Sequence, residues 1–390
     1  MADYPKHFAV NWIDGMKINK SHLIAQDDAW KDALQDIGSL STSPIRFGVL
    51  PTHSPDDSNF NVKMSLDNQN VLRVSVLACQ AVTPGGIRIS ISASNNTLNG
   101  SSDGVPASSF SFKEDRKESN WWIALIVNPY EKQPAGNPDL SENPPRYPFV
   151  IPSYRVEVIN EAEYNQFAYH PYAIIIGKLA VSGNSIKVDN DYIPPTYSIS
   201  ALPDLVNLHA ELDQFMSRLE LLCSLIVQKI YQRNQQNDIS ELVKFLCDRI
   251  MIYLSHVITD MRWKMIHDSP AALFCCLAGL GRTMKNSIDL RIGSGKEEML
   301  NYLTDWCELR QGELESMLAN LANIRFDNND INTSIQKVTP FVKVTTRLFE
   351  TLNKLEFIGK RKDSGIFVKE ESIAKVEQAD ARANRRRFLG

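Results

Sequence analysis

Seven histidines, His7, His22, His53, His170, His209, His256 and His267, are the first place to look for acid–base or metal chemistry. They form no HExxH pair and no His/Cys/Asp cluster at the spacing a tetrahedral zinc site requires. His22 is placed to orient a leading helix through a side-chain hydrogen bond, whereas His209 and His256 fall in helical stretches where a satisfied structural role is the default. GLGRTMKNS (279–287) has glycines before a lysine but lacks the G-x-x-x-x-G-K-[ST] order and follows no strand, so it reads as helix or interhelical turn rather than a phosphate cradle. DNNDIN (327–332) starts like a calcium loop. It fails at its fifth and sixth positions, where an oxygen ligand and a glycine are needed and Ile331 and Asn332 stand, so a polar interhelical loop is expected. No G-x-S-x-G and no Cys/His pair is present, and scattered carboxylates are all that an enzyme would have to work with. The chain is therefore expected to be non-catalytic and to hold no cofactor and no metal.

Six cysteines, Cys79, Cys223, Cys247, Cys275, Cys276 and Cys307, lie in apolar neighbourhoods without a CxxC pair, as reduced core thiols of a cytosolic protein do. Asn95 and Asn99 each open an N-x-S/T sequon, better read as part of a polar hairpin loop. The chain has 390 residues, 43% of them apolar and 23% charged, enough for two or three domains with a sizeable core. A net charge of −4 argues against nucleic acid as a partner, since phosphate contacts demand a basic surface. The N-terminus lacks the order of a secretory signal, and apolar runs such as Trp121 to Val127 are too short to span a bilayer.

The elements that would position any site change character near residue 200. From Arg46 to about Ser200 the apolar pattern has period two, in VLRVSVLA (71–78), GIRISISA (86–93), WWIALIV (121–127), YRVEVI (154–159) and AIIIGKLAV (173–181). Turn-forming clusters separate these runs, with one long excursion at 128–145, so an antiparallel sandwich or barrel is expected and no helix within it. Upstream, residues 22–40 have helical periodicity and are expected to pack as a leading helix against the sheet, with Ser21 as N-cap. Trp121 and Trp122 point to opposite faces of their strand; the second face is covered either by that leading helix or by a partner.

Beyond Pro203 the pattern is helical. Leu205, Leu208, Leu212, Phe215, Leu219, Leu222, Cys223, Ile226, Val227 and Ile230 fall on one narrow stripe, which a partner helix would cover. Leu205, Leu208, Leu212, Phe215, Leu219, Leu222, Ile226 and Ile230 are therefore expected at an oligomer interface. A second stripe runs through 240–267, a short apolar helix is bracketed by DSP (268–270) and GSGK (293–296), and two more helices are expected at 297–325 and 331–357. The class is α+β: a β-sandwich shoulder with its leading helix over 1–200, a helical bundle over 201–357 and a basic tail over 358–390. From Gly359 onward nine Lys or Arg face five Asp or Glu, ending in Arg385, Arg386 and Arg387.

WIDGMKINKSHLIAQDDAW (12–30) resembles the opening signature of the TssK family of type VI secretion baseplate proteins, with Trp12, Asp14, Gly15, Met16, His22, Gln26 and Asp27 in matching places. LACQAVTPGGIRISI (77–91) resembles the family's strand, turn and strand, and DYIPPTYSISALPDL (191–205), with Pro194 and Pro195, its junction into the first stalk helix. Order and spacing agree over roughly residues 8–330, although Lys20 stands where the family usually carries proline. The resemblance implies a homotrimeric, non-catalytic adaptor of a contractile injection machine. Its shoulder would grip the wedge proteins TssF and TssG, its helical neck would reach a membrane-anchoring complex of unknown composition, and it would work in the cytoplasm at the inner membrane. Only 33 residues follow Phe357, so the family's head is expected to be missing or reduced, with Arg385, Arg386 and Arg387 docking an acidic partner or membrane surface instead. A phage-tail receptor-binding protein shares the plan, and a carbohydrate-active β-sandwich enzyme is the alternative of a different class.

Overall fold

The computed structural model describes residues 7–52, 58–92, 105–112, 119–182, 185–307 and 310–359; Asn95, Asn99 and the arginines 385–387 lie outside them. The chain forms two compact units, Met1–Leu202 together with Asp327–Asn332, and Pro203–Phe326 together with Thr333–Gly390. The class is α+β, with antiparallel sheets in the first half and helices in the second.

The first unit is a sandwich of two antiparallel sheets. One holds β1 (Gly48–Val49), β2 (Phe60–Leu66), β3 (Val71–Val82), β4 (Arg88–Ile91) and β5 (Ala107–Ser111), all pairing with β3. The other runs β7 (Phe149–Asn160), β6 (Ser119–Ala135), β8 (Ala173–Ser182) and β9 (Ser185–Val188). The period of two sends Leu72, Val74 and Val76 from one sheet, and Ile123, Leu125, Ile174 and Ile176 from the other, into a shared core. Trp121 packs at the edge of that core, while Trp122 turns outward into a second cluster with Ala124, Ile159 and Ile175.

What covers Trp122 corrects the sequence reading. It is neither the leading helix nor a partner but α2 (Glu161–Phe167), a helix inside the β half where none was expected. Tyr164 lies 4.3 Å from the Trp122 ring, and Phe167 packs beside it. A local signal was present: Asn160 accepts from the amides of Ala162 and Glu163 while Glu163 accepts from the Asn160 amide, the reciprocal cap that an N-x-x-E spacing makes possible.

The second unit contains α3 (Pro203–Gln232), α4 (Asp238–Trp263), α5 (Ala271–Asp289), α6 (Lys296–Cys307), α7 (Gln311–Ala322) and α8 (Ile331–Lys354). Proline at its first position starts α3, and the Asn237 side chain caps α4. The single helix expected over 297–325 is two, with Gly312 in the first turn of α7, where its backbone entropy disfavours a continuous helix.

The striped face of α3 points into this unit. Leu205, Leu208, Leu212, Leu219, Leu222, Ile226 and Ile230 are at most 2% exposed, and Phe215 meets Phe341 of α8 at 6.3 Å. Helix α4 supplies Leu242, Leu246, Ile250 and Leu254 to the same core. Polar groups close the seam: the His209 ring is 2.8 Å from the carbonyl of Met261, Arg262 pairs with Asp213 at 2.8 Å, and Lys229 donates to the carbonyls of Asn353 and Leu355. Packing within one chain accounts for the stripe, so as the helices stand it offers no surface to a second copy.

Candidate functional site

The motif-bearing N-terminal segment and α1 (Lys20–Ser39) form one layer on the β unit. Asn19 rather than Ser21 caps the helix, accepting from the amides of Ser21 and His22. Upstream, the chain turns at Asp14 and Gly15, with the Met16 amide donating to the Ile13 carbonyl at 3.1 Å, and then runs back along the helix. Trp12 meets the His22 ring edge-on at 6.2 Å, the Val10 amide donates to Gln26 Oε1 at 3.1 Å, and the His7 amide donates to the Asp32 carboxylate. Three motif residues, Trp12, His22 and Gln26, therefore hold the segment in place. The expected hydrogen bond from His22 is not the means: its Nδ1 is buried without a partner, and the ring acts as a packing surface for Trp12.

Helix α1 sits on the β unit with its polarity reversed. Asp28, 9% exposed, faces inward with Lys31 at 3.1 Å and Lys132 at 3.8 Å, and the Lys31 ammonium donates to the Pro129 carbonyl at 2.9 Å. Asp32 accepts from the Tyr130 hydroxyl, and the His7 ring stacks on Tyr130 at 4.6 Å. Burial pushes the Asp32 carboxyl upward, but the hydrogen bonds from Tyr130 and His7 more than offset it and leave the group below its ordinary value. The residues that grip the helix come from a bulge in β6, where Asn128 pairs with Ser153 and Lys132 with the next residue, Pro152. At the other end Gly38 lies against the β3–β4 turn. A Cβ on Gly38 would come within 2.3 Å of the Gly86 carbonyl oxygen, and Gly86 itself has φ +82°, so both ends of this contact require glycine.

Its outward face is apolar: Leu23, Trp30, Leu34 and Ile37 are each 55–65% exposed. The sequence reading packed α1 against the sheet on its helical periodicity; the side chains that make the contact are Asp28, Lys31 and Asp32. Two aspartates four residues apart with ionic and hydroxyl partners in the β6 excursion were the signal, and those partners are more than ninety residues away in the chain.

Pro194 and Pro195 are buried in the same unit. The Pro195 carbonyl accepts from the Val49 amide at 2.8 Å, and a Cβ on Gly48 would lie within 1.9 Å of that oxygen. Beside this junction sits Asp327–Asn332, read from sequence as an interhelical loop. Fully buried Asn328 donates to the Phe47 carbonyl at 2.8 Å, and fully buried Asn329 donates to the Ala168 carbonyl at 2.9 Å. The Ile193 amide donates to Asn332, and Tyr169 donates to Asp327 at 2.9 Å. The side-chain nitrogens of Asn328, Asn329 and Asn332 are thus spent on backbone carbonyls, as a structural plug requires, while Asn329 Oδ1 is buried without a partner.

Among the described residues no group of three or more His, Cys, Asp or Glu is placed to hold a metal, and no helix is long and apolar enough to cross a membrane. A cavity of about 380 Å³ in the helical unit is lined by Lys285, Asp289, Lys296 and Glu315. These charges already pair with one another at 2.6–2.9 Å. Cys79, Cys223, Cys247 and Cys276 are buried free thiols and Cys275 is exposed.

Fold and site together describe a β-sandwich unit and a helical unit. No family model matches the chain, and no curated protein matches it. Among solved structures it is similar to a crystal structure of TssK, at 15% identity over 89% of this chain and 70% of that one with a TM-score of 0.44. It is also similar to a chain of a type VI secretion TssK–TssF–TssG baseplate subcomplex, at 15% identity over 89% and 99% with a TM-score of 0.43. A chain of the type VI baseplate complex matches at 15% identity over 88% and 100% with a TM-score of 0.45.

Proposed function

We propose that this protein is a non-catalytic, TssK-type baseplate subunit of a type VI secretion system. It assembles as a homotrimer, contacts TssF and TssG through its β unit, and reaches a membrane anchor from its helical unit and the basic segment ending in Arg385, Arg386 and Arg387. It works in the cytoplasm, at the inner-membrane face of the baseplate.

The observation that carries this reading is the arrangement of the opening motif. Trp12 meets the His22 ring at the surface, where Trp12 is 47% exposed, and Gln26 accepts from the Val10 amide of the same segment. A signature confined to a surface layer is what recognition requires, since a core motif would be explained by packing alone. The test is co-expression of the full chain with TssF and TssG from the same secretion system, followed by affinity capture. Both should co-purify, and Trp12→Ala should weaken capture by at least about tenfold, as loss of an aromatic anchor does, with an unchanged circular dichroism spectrum. Failure to capture either protein would overturn the reading.

A further inference from the structure

Two arginines of the helical unit share one aromatic ring. The Arg291 guanidinium lies 4.1 Å from the centre of the Phe245 ring, and the Arg249 guanidinium lies 5.1 Å from the same point. The ring thus holds both cations within about 9 Å of each other, by an attraction that orients them and neutralises neither. Carboxylates of α4, α5 and α7 are engaged elsewhere: Glu241 pairs with Lys244, Asp289 with Lys285 and Lys296, and Glu315 with Lys296. Among the described residues neither arginine has an ion-pair partner, and the buried Arg291 Nε donates to nothing.

A guanidinium stacked on an aromatic face keeps the donors on its edge for a carboxylate. Two such groups ask for two carboxylates. Their surroundings are apolar: Leu290 and Ile292, on either side of Arg291 in the chain, are 70% and 71% exposed, and Ile252 is exposed one turn along α4 from Arg249. The surface therefore fits a segment that carries adjacent carboxylates with large apolar side chains next to them.

The chain itself supplies one. Its last described residues lie near this surface: the Gly359 amide donates to the Tyr302 hydroxyl at 3.0 Å, and the Asn237 side chain that caps α4 donates to the Ile358 carbonyl at 3.1 Å. Phe245 stands two turns from that cap, about 12 Å along α4. Past Gly359 the first adjacent carboxylates are Glu370 and Glu371, preceded by Ile366, Phe367 and Val368. The chain from Gly359 to Glu370 spans up to roughly 36 Å when extended, so both glutamates are within reach of the arginines.

We propose that residues 366–371 of this chain dock on the surface formed by Phe245, Arg249 and Arg291, with Glu370 and Glu371 on the two guanidiniums and Phe367 on Leu290 and Ile292. The contact ties the segment that ends in Arg385, Arg386 and Arg387 to the helical unit. It stands apart from the TssF and TssG contacts proposed above.

The experiment follows chymotrypsin cleavage after Phe367 in the full chain by mass spectrometry, each rate divided by that of a synthetic peptide of the same sequence. The wild type should be cut slowly. Arg249→Glu with Arg291→Glu should speed the cut at least about tenfold, and Glu370→Arg with Glu371→Arg should do the same, because each pair of substitutions sets like charges against each other. The second pair leaves the helical unit untouched, so it decides even where the first disturbs folding, which circular dichroism reports. The strongest measurement combines all four substitutions: the exchanged charges should restore slow cleavage. A wild type cut as fast as the charge-reversed variants would overturn the proposal and leave the arginines to an acidic segment of a different protein. Fast cleavage that persists in the folded fourfold variant would overturn it too, and so would protection that grows with protein concentration, which would place the segment on a second copy.

Discussion

Replacing Leu212 by alanine separates packing within a chain from packing between chains. Leu212 is fully buried in the helical unit, between faces that carry Leu246, Ile250 and Phe341 at 0% exposure, so truncation removes most of a buried side chain and leaves a cavity the surrounding helices fill only in part. Such changes cost about 3–5 kcal/mol in a rigid core. For a helical unit of this size each kcal/mol lowers the midpoint by roughly 2–4 °C, so a fall of ~6–20 °C is expected in the helical signal of a thermal melt. Leu221, on the same helix but 50% exposed, is the control. Leu221→Ala should cost under about 1 kcal/mol, a change near the limit of detection in the same melt. Light scattering should find Leu212→Ala in the same oligomeric state as the wild type. A Leu212→Ala protein that melts like the wild type but falls apart into smaller species would refute the argument, because it would place the leucine stripe between copies after all.

Three further outcomes are expected. Asn328→Ala strips a fully buried partner from the Phe47 carbonyl and should destabilise the β unit by about 1–3 kcal/mol, read by calorimetry; a difference below about 0.5 kcal/mol would mean the loop is not a plug. Because Asp32 titrates below the ordinary 3.8 in the folded chain, its hold on α1 and the N-terminal segment is complete above that value and is lost as pH falls through the lowered one. Hydrogen exchange over residues 7–19 should therefore be flat, once corrected for intrinsic rates, between about pH 5 and about pH 8 and should rise steeply only in stronger acid, a rise that Asp32→Asn abolishes; a rise that persists in Asp32→Asn would refute the assignment. Gly86→Ala puts a Cβ 2.3 Å from the Ser39 amide nitrogen at a φ of +82°, so the end of α1 must shift, and faster exchange at residues 36–42 with unchanged protection in β3 is the expected signature.

The sequence by itself determined the class of this protein, strands in its first half and helices in its second. Alternation with period two marks β3, β6, β7 and β8 wherever two sheets bury one face each, and the three-four spacing from Leu205 to Ile230 marks α3, because both periods are set by backbone geometry within a few residues. The opening motif was likewise legible as a linear pattern. Which surface a stripe meets is not a local property, and there tertiary structure decided. The leucines of α3 are satisfied by α4 and α8 of the same chain, which spacing cannot distinguish from a second molecule. Helix α1 has the same kind of periodicity, yet its apolar side faces water, because Lys132 and Tyr130 bind its aspartates and the Pro129 carbonyl accepts from Lys31, all from a bulge a hundred residues downstream. Asn328 and Asn329 looked like loop residues because polarity near a helix start signals solvent on average. They are buried because the backbone carbonyls of Phe47, just before β1, and Ala168, at the end of α2, need donors and lie far away in the chain.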